Sequence, residues 1–354
     1  MKILEFQSKL REMKIDATIF YSLDTSNVEP NFFYFSGYDG VGALVVPSGS
    51  EPFLLAPKME VEKAKKSRIR NVYIWQKKKM FDSIKIYLKK KRIPSRVIGV
   101  DFSAFTMEAS NGLKKSFGMA KLKNIGEICR KLRMVKTPEE IAILKEGCKI
   151  TDRIFEKCMS NFKSFRTESD VSAFLEYETK KLGHDVSFKP IVASGNGSSI
   201  PHYSPRNIPL KKGFCVIDFG IKYKGYCTDM TRTVFIGKMS EKETAFYNLV
   251  LDSQLAAINA SGKGVKCSDV YNACVKKLGK YKKNFIHGLG HGVGVEIHEQ
   301  PNLKPVGSDI LDDNIVFTVE PGIYFPKKFG IRIEDTVALI DEKIEVLTNV
   351  KKTI

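Results

Sequence analysis

Acidic residues that interrupt apolar segments constrain the fold of this chain more than any other feature of its sequence. Asp218 lies in the apolar run 216–219, and Glu320 directly follows the strand-like run 316–319. A carboxylate that enters a protein core without a partner either costs several kcal/mol or changes its pKa. The fold must therefore bring a compensating charge to both positions.

Each of these carboxylates is followed by a second one a short distance along the chain. Asp229 lies eleven residues after Asp218, beyond a predicted turn at residues 222–225. Glu334 lies fourteen residues after Glu320. Because a hairpin returns the chain alongside itself, folding can place the two members of each pair side by side. We therefore expect four carboxylates to enter the core on two hairpins.

Three of the five histidines cluster in the segment 287–298. His287 and His291 are four residues apart, but the glycines around them disfavour a helix and let the backbone approach a ligand closely. The following run 295–298 alternates like a strand and ends at His298. The segment therefore offers an imidazole to the acidic pairs.

A divalent metal centre explains this combination of residues. Two cations would neutralise the buried carboxylates, and an oxygen-rich ligand set with one imidazole suits Mn, Co, Fe or Zn and disfavours Cu(I). Two such ions can also activate water as a nucleophile at neutral pH. Taken singly, each acidic residue is more often a turn or salt-bridge residue, and a lone histidine is more often structural. Their joint occurrence is what indicates a site.

The first third of the chain alternates strand and helix patterns. Strands are predicted at 17–21, 42–46, 52–55, 72–75 and 97–100, and a helix at 80–90. The alternation predicts a small α/β domain at residues 1–125. The glycines at 37–42 lie between two predicted strands, so they do not form a dinucleotide-binding fingerprint.

The remainder, residues 126–354, opens with a strong helix start. Thr137, Pro138 and Glu140 form an N-cap, a first-turn proline and a capping box, which predict a long helix to about Ser160. Further helices are predicted from Thr167 or Ser169 to Gly183, at about 240–260 and at about 268–278, with strand-rich segments after each helix pair. Grouped helices and antiparallel strands indicate an α+β fold. Each half of this domain has helices followed by an acidic strand pair, as a duplication would produce.

Composition narrows the class of protein. The sequence has no run of about 18 apolar residues of the kind a membrane helix needs, and its N-terminus has no pattern of a secretory signal. Seven cysteines, an odd number without a C-x-x-C pair, disfavour a disulfide framework and indicate reduced thiols. We therefore expect a cytoplasmic protein without a membrane partner.

The net charge of +18 raises the question of nucleic-acid binding. Basic clusters lie at 77–79 and 89–92, but much of the excess is lysine dispersed over predicted helix surfaces. Lysine-rich composition can also reflect a salt or temperature regime. Surface solvation is therefore the favoured interpretation, and a nucleic-acid partner is not expected.

At these motifs the sequence resembles the creatinase, prolidase and methionine aminopeptidase superfamily, whose catalytic domain has the pita-bread fold. The resemblance covers nearly the whole chain. Its motifs occur in the family's order and spacing: residues 133–136 before the capped helix, 193–202, the Asp218 hairpin, the His291 loop, the Glu320 turn and 332–335. It implies a pita-bread metallopeptidase domain preceded by a smaller creatinase-like α/β domain.

The resemblance also implies a role for each acidic residue. Asp218 would chelate one metal ion, and His291 with Glu320 would chelate the other. Asp229 and Glu334 would bridge both ions. Glu320 stands at the position of the family's proton-shuttling carboxylate, so it would also accept the proton of the attacking water.

The remaining site residues follow from the same resemblance. His202 and His298 match histidines that bind the substrate carbonyl and stabilise the tetrahedral intermediate. His287 matches a histidine that lines the substrate pocket in the proline-specific branch. Thr231 would hydrogen-bond to a metal-binding carboxylate, and Arg332 would orient nearby acidic groups and contact the substrate.

The N-terminal domain decides the branch of the superfamily. Proline-specific peptidases and creatinase have it, whereas methionine aminopeptidases typically lack it. Creatinase does not retain the metal ligand set, and here all five positions are filled. The resemblance therefore implies an Xaa-Pro peptidase that acts on short proline-containing peptides as a homodimer. Mn or Co would be its metal, with Zn or Fe as alternatives.

Two features bear on the choice between an Xaa-Pro dipeptidase and an aminopeptidase P. The compact chain favours the smaller prolidase-like proteins. Asn302, however, stands where many prolidases have an arginine that holds the dipeptide's free carboxylate, and an amide is a weaker anchor. Two other interpretations stay open: a non-enzymatic binding protein that uses its basic surface, and an aminopeptidase of broader specificity.

Overall fold

The structure is a computed structural model that describes residues 2–76 and 79–352. Its contacts divide the described residues into two compact units after Leu132. The helix Gly126–Met134 contains this division, and the domain boundary that the sequence predicts after residue 125 lies just before that helix.

The first unit is built on one mixed sheet of six strands. The strands are β1 (Ala17–Ser22), β2 (Gly42–Pro47), β3 (Phe53–Ala56), β4 (Asn71–Ile74), β5 (Val97–Val100) and β6 (Lys121–Asn124). Their order is β4-β3-β2-β1-β5-β6, with β1–β2 and β2–β3 antiparallel and the other pairs parallel. The helices are α1 (Lys2–Glu12), α2 (Pro30–Ser36), α3 (Val61–Ala64), α4 (Met80–Lys90), α5 (Met107–Phe117) and α6 (Gly126–Met134).

The sequence patterns located β1 to β5 within one residue at each end. Buried apolar side chains dominate β1, β2, β3 and β5, whereas the residues of β4 are half-buried or, at Ile74, exposed. Helix α4 was also predicted correctly, since Phe81, Ile84 and Leu88 recur at helical spacing and pack against the sheet. Helix α2 was missed. It lies directly before the glycines at 37–42, so those glycines follow a helix and not a strand.

The second unit contains four long helices and thirteen short strands among its described residues. The helices are α7 (Pro138–Ser160), α8 (Glu168–Lys181), α9 (Glu241–Ala260) and α10 (Cys267–Leu278). The strands are β7 (Asp185–Val186), β8 (Ile191–Ser194), β9 (Gly213–Phe219), β10 (Ile221–Tyr223), β11 (Tyr226–Cys227), β12 (Met230–Ile236), β13 (Gly290–Gly292), β14 (Glu299–Leu303), β15 (Ile315–Val319), β16 (Gly322–Phe325), β17 (Phe329–Arg332), β18 (Asp335–Ile340) and β19 (Lys343–Val346).

Capping boxes begin three of these helices. In α7 the Thr137 side chain accepts from the backbone N–H of Glu140, and the Glu140 carboxylate accepts from the backbone N–H of Thr137. Helices α8 and α9 begin in the same way, at Thr167 and Ser240. These local signals explain why the helix starts could be predicted from sequence.

The two halves of the second unit have related plans. In the first, α7 and α8 precede the sheet β12-β9-β8, and β10 and β11 form a small hairpin between its two long strands. In the second, α9 and α10 precede the sheet β14-β13-β15-β18-β19, and β16 and β17 form the corresponding hairpin between β15 and β18. This similarity agrees with the duplication suggested by the sequence.

One predicted strand of the second unit is absent, and part of one predicted basic cluster lies outside the described residues. Residues 295–298 form a bend and not a strand, because the Glu299 carboxylate accepts from the backbone N–H of Glu296 and folds the loop on itself. In the basic cluster 77–79, Lys77 and Lys78 lie outside the described residues. None of the described helices has both the length and the apolar character that a membrane crossing requires.

Candidate metal centre

The first acidic pair lies where the long hairpin β9–β12 meets the small hairpin β10–β11. Asp218 on β9 pairs in register with Thr231 on β12, and Asp229 directly precedes β12. The predicted turn at 222–225 closes the small hairpin, where Lys224 and Gly225 both have positive φ. The two carboxylates are therefore brought to one end of the sheet by strand register.

The second acidic pair occupies the equivalent place in the other half. Val319 at the end of β15 pairs with Asp335 at the start of β18. Glu320 and Glu334 are the next residues outward on the two strands, and the β16–β17 hairpin lies between them in the chain. Each half of the unit thus carries one acidic pair at the ends of two paired strands, and the four carboxylates lie in one region.

His291 on β13 stands between these pairs. Its Nε2 atom is 3.6 Å from Asp229 Oδ2 and 3.6 Å from Glu320 Oε1. Its Nδ1 atom lies 3.1 Å from its neighbour's carbonyl oxygen, Gly292 O, so the tautomer protonated at Nδ1 leaves the Nε2 lone pair facing the carboxylates. A separation of 3.6 Å is too long for a hydrogen bond. It suits two ligands of a common ion, since ligands about 2.1 Å from one ion lie about 3–3.5 Å apart.

Three of the carboxylates have an oxygen that is buried and makes no hydrogen bond within the described residues. These atoms are Asp218 Oδ1, Asp229 Oδ1 and Glu334 Oε1. Buried polar atoms in proteins are almost always partnered, and three unpartnered oxygens in one region need a common explanation. Bound cations supply one, because carboxylate oxygens and an imidazole nitrogen are the donors that divalent metals prefer.

The electrostatics of the side chains lead to the same conclusion. Burial, and then the charges of Glu334 and Asp218, raise the pKa of Asp229 well above its usual value. Burial and the charges of Glu320 and Asp218 raise the pKa of Glu334 in the same way. Burial raises the pKa of Glu320 to about 8. Without a cation the site therefore holds protons, and a cation would displace them.

A compact group of ligands lies at the centre of this region. Ligand atoms of Asp229, His291 and Glu334 all lie within 4.8 Å of one another. Glu320 adjoins this group through its 3.6 Å approach to His291. Asp218 joins the group from β9 and lines the same cavity. The structure thus brings together all five residues that the sequence proposed as ligands.

Thr231 and Arg332 connect the carboxylates to one another. The Thr231 hydroxyl donates to Glu334 Oε2 at 2.7 Å and accepts from Arg332 Nε at 3.1 Å. The Arg332 guanidinium also donates to Asp218 Oδ2 at 2.6 Å and to the Tyr324 hydroxyl at 3.0 Å. These hydrogen bonds fix which oxygens of Asp218 and Glu334 remain free to bind metal.

The cluster opens into a cavity of about 360 Å³. His202, His287 and His298 line it together with the five acidic and histidine residues described above. His298 is exposed, and its ring centre lies 4.4 Å from that of His291. His287 places Nε2 3.0 Å from the Tyr324 hydroxyl, and burial lowers the pKa of its imidazole to about 4. His287 is therefore neutral at pH 7.

The sequence reasoning missed two residues of the site, one behind the cavity wall and one on it. Tyr324 links His287 to Arg332 through its hydroxyl, and Lys304 lies on the cavity wall. Tyr324 reads in sequence as an ordinary apolar strand residue of β16. Lys304 is one of many lysines in a basic chain, so only its position in the fold distinguishes it.

Gly290 provides a test of how tightly β13 is held. A Cβ atom at this position would lie 1.9 Å from the carbonyl oxygen of Thr318 on β15. Gly290→Ala is therefore expected to push β13 away from β15, to lower the free energy of unfolding by at least about 2 kcal/mol and to weaken metal binding at His291. Chemical denaturation and calorimetric metal titration measure the two effects.

The matched control for this substitution is Gly307→Ala. A Cβ atom at Gly307 would meet no atom within 4 Å, and its φ is not in the left-handed region. This variant should retain the stability and metal affinity of the unmodified protein. Equal behaviour of the two variants would show that β13 tolerates displacement.

Comparison with known proteins identifies the fold and the class. The sequence model described as metallopeptidase family M24 matches residues 142–341, and the model of the creatinase/prolidase N-terminal domain matches residues 2–135. The chain therefore belongs to metallopeptidase family M24, and it carries the N-terminal domain of the creatinase and prolidase branch. The predicted fold, a pita-bread α+β domain preceded by a creatinase-like α/β domain, is confirmed.

Similar proteins narrow the class further. The chain is 34% identical to the Xaa-Pro dipeptidase of Pyrococcus furiosus over 328 residues, which cover 91% of this chain and 92% of that protein. Its structure resembles that of the X-Pro aminopeptidase from Thermotoga maritima, with a TM-score of 0.90 and 31% identity over 98% of this chain and 99% of the other. It also resembles the Xaa-Pro dipeptidase from Bacillus anthracis, with a TM-score of 0.91 and 31% identity over 100% and 98% of the two chains.

Proposed function

We propose that this protein hydrolyses the Xaa-Pro bond of short peptides and releases the N-terminal residue. The observation that carries the proposal is the convergence of four carboxylates and His291 on one cavity that three further histidines line. Membership of family M24 makes the protein a metallopeptidase, and the relatives named above act on Xaa-Pro bonds by their names. These findings favour the peptidase over a non-enzymatic binding protein.

Two divalent metal ions, Mn or Co in the first place and Zn or Fe as alternatives, fit the donor set. Asp218 would hold one ion, His291 and Glu320 would hold the other, and Asp229 and Glu334 would be ligands of both. The unpartnered oxygens of Asp218, Asp229 and Glu334 support these assignments. When bound, such ions act as Lewis acids that lower the pKa of water and polarise a carbonyl group.

The other side chains of the site have separate roles in proton transfer, in stabilising the carbonyl oxygen and in positioning the substrate. Glu320, at the cavity end of β15, accepts the proton of the attacking water and passes it to the leaving nitrogen. His202 and His298 donate hydrogen bonds to the oxygen of the scissile carbonyl as negative charge develops on it. His287, neutral and held by Tyr324, lines the pocket for the proline ring, and Arg332 orients Asp218 and the substrate.

We further propose that the protein is cytoplasmic and acts as a homodimer. All seven cysteines lie in the described part of the chain, are buried and form no disulfide, as in a reducing compartment. Nucleic acid is not a proposed partner, because the basic residues are dispersed and the metal ligand set is complete.

The preference between dipeptides and longer peptides is set on the cavity wall, where Asn302 presents a neutral amide. Prolidase activity is slightly favoured.

One assay tests the proposal. Ala-Pro, Ala-Pro-Gly and Ala-Gly-Gly are offered to protein loaded separately with Mn, Co or Zn, and Glu320→Gln is the inactive control. Cleavage restricted to the two proline peptides supports the proposed function, and the ratio between them separates prolidase from aminopeptidase P. Comparable cleavage of Ala-Gly-Gly identifies a broader aminopeptidase. No cleavage, together with salt-sensitive RNA binding, identifies a binding protein.

A further inference from the structure

Among the described residues, two cationic residues line the cavity, Arg332 and Lys304. They differ in the hydrogen bonds that they already make within the protein. Arg332 is buried, and its guanidinium already donates to Asp218, Tyr324 and Thr231 at 2.6, 3.0 and 3.1 Å. Those hydrogen bonds use the directions in which a guanidinium could grip a second anion. Arg332 therefore serves the metal ligands and is poorly placed to bind a substrate carboxylate as well.

Lys304 is the other cation, and it has no hydrogen bond or ion pair within the described part of the chain. It is exposed and directly follows β14. Nearby Asp309 accepts instead from the backbone N–H of Asn302 at 2.9 Å. A cation on a cavity wall without an anionic partner in the protein is available to an anion that enters the cavity.

Strand register fixes where Lys304 stands relative to the metal ligands. His291 on β13 pairs with Asn302 on β14, and the backbone N–H of Leu289 donates to Leu303 O at 2.8 Å, so the two strands stay paired through Leu303, the residue before Lys304. Asn302 and Lys304 are two residues apart, and both side chains reach the cavity, as alternation along a strand requires. Lys304 therefore lies about 7 Å along the chain from Asn302, the residue that pairs with His291.

The stem of Lys304 has room because Gly288 has no side chain. The Lys304 Cγ atom would be 3.9 Å from a Cβ atom placed on Gly288, and Gly288 itself lines the cavity. The lysine stem therefore passes beside this glycine on the cavity wall. Four flexible bonds allow its ammonium group to turn toward a ligand that is bound at the metal cluster.

We propose that Lys304 binds the free C-terminal carboxylate of a dipeptide substrate and so favours dipeptides over longer or blocked peptides. The inference rests on the proposed function. In an Xaa-Pro dipeptide the carboxylate carbon lies only about 3–4 Å from the scissile carbonyl carbon. The negative charges of Asp218, Glu320 and Glu334 repel this carboxylate. Lys304 offers it a positive charge on the cavity wall. A lysine provides a single mobile charge, so the preference is weaker than a guanidinium fork would give.

The test compares Ala-Pro with its amide, Ala-Pro-NH2, which lacks the negative charge but has the same scissile bond. Four proteins are compared under the same metal load: the unmodified chain, Lys304→Met, Lys304→Arg and Lys343→Met. Lys343 is exposed on β19 and does not line the cavity, so its substitution removes an equal charge elsewhere. Values of kcat and KM are measured for both substrates.

We expect Lys304→Met to raise the KM for Ala-Pro about 10- to 100-fold, with little change in kcat and no change for the amide. Lys304→Arg should keep the preference for Ala-Pro, and Lys343→Met should behave like the unmodified chain. The proposed role of Lys304 is overturned if Lys304→Met has the same ratio of kcat/KM for Ala-Pro to kcat/KM for Ala-Pro-NH2 as the unmodified chain. This holds whether both values stay the same or both fall equally. If the unmodified chain cleaves neither substrate, the proposed function itself fails.

Discussion

The Glu334→Gln variant is expected to lose about 1000-fold or more in Xaa-Pro hydrolysis and to bind one equivalent less of divalent metal. Thr231 occupies Glu334 Oε2, so the substitution acts on Oε1, the buried oxygen that has no hydrogen-bond partner within the described residues. A neutral amide retains the shape of the side chain but removes the negative charge that we propose as a ligand of both ions. Steady-state kinetics and metal analysis of the dialysed protein measure both losses.

The Glu334→Gln substitution should stabilise the metal-free protein and destabilise the protein in the presence of metal. In metal-free protein at pH 8, Glu334 crowds a buried site with Glu320 and Asp218, so its replacement by glutamine should raise the melting temperature. With Mn present, the variant should melt below the unmodified protein because it binds the ions less tightly. Glu176→Gln on the exposed face of α8 is the control and should change neither value. Full activity and unchanged metal content in Glu334→Gln would contradict the assignment.

Removal of the metal by a chelator is expected to abolish hydrolysis and to destabilise the fold in a pH-dependent way. Burial raises the pKa of Glu320 from 4.5 to about 8, so the metal-free folded state binds more protons than the unfolded state between these values. Stability then falls as the pH rises through this window. A metal ion must displace those protons, and this competition is weaker at high pH.

The rise in melting temperature on adding Mn should therefore be larger at pH 8 than at pH 5.5, by about 5 °C or more. Thermal denaturation of chelator-treated protein, with and without saturating Mn, measures it at both values. Potassium chloride at matched ionic strength controls for general screening. An equal rise at the two pH values would show that metal binding does not displace protons from these carboxylates.

Sequence reasoning succeeded where a local signal determines the structure. The capping boxes at Thr137 and Thr167 mark helix starts by side-chain chemistry within four residues. Asp218 and Glu320 were conspicuous because a carboxylate inside an apolar strand demands an explanation. Strand patterns in the first unit were clear for the same local reason, since buried strands are almost wholly apolar.

It failed where contacts distant in sequence decide the outcome. Residues 295–298 alternate like a strand but form a bend, and the Glu299 carboxylate that accepts from the backbone N–H of Glu296 is itself held by Lys136, 163 residues away, at 3.2 Å. Thr231 reaches Glu334 across 103 residues; no local pattern encodes that hydrogen bond, and only the family resemblance led us to expect one from Thr231 to a metal-binding carboxylate. The position of Lys304 on the cavity wall likewise depends on the register of β14 against β13.

We propose that five side chains hold two divalent ions at one end of the cavity. Anomalous diffraction from crystals grown with Mn, recorded on both sides of the metal absorption edge, tests it most directly. We expect two anomalous peaks among Asp218, Asp229, His291, Glu320 and Glu334, and the loss of at least one peak in Glu334→Gln. Peaks at other residues, or none in crystals of protein that hydrolyses Xaa-Pro peptides, would contradict it.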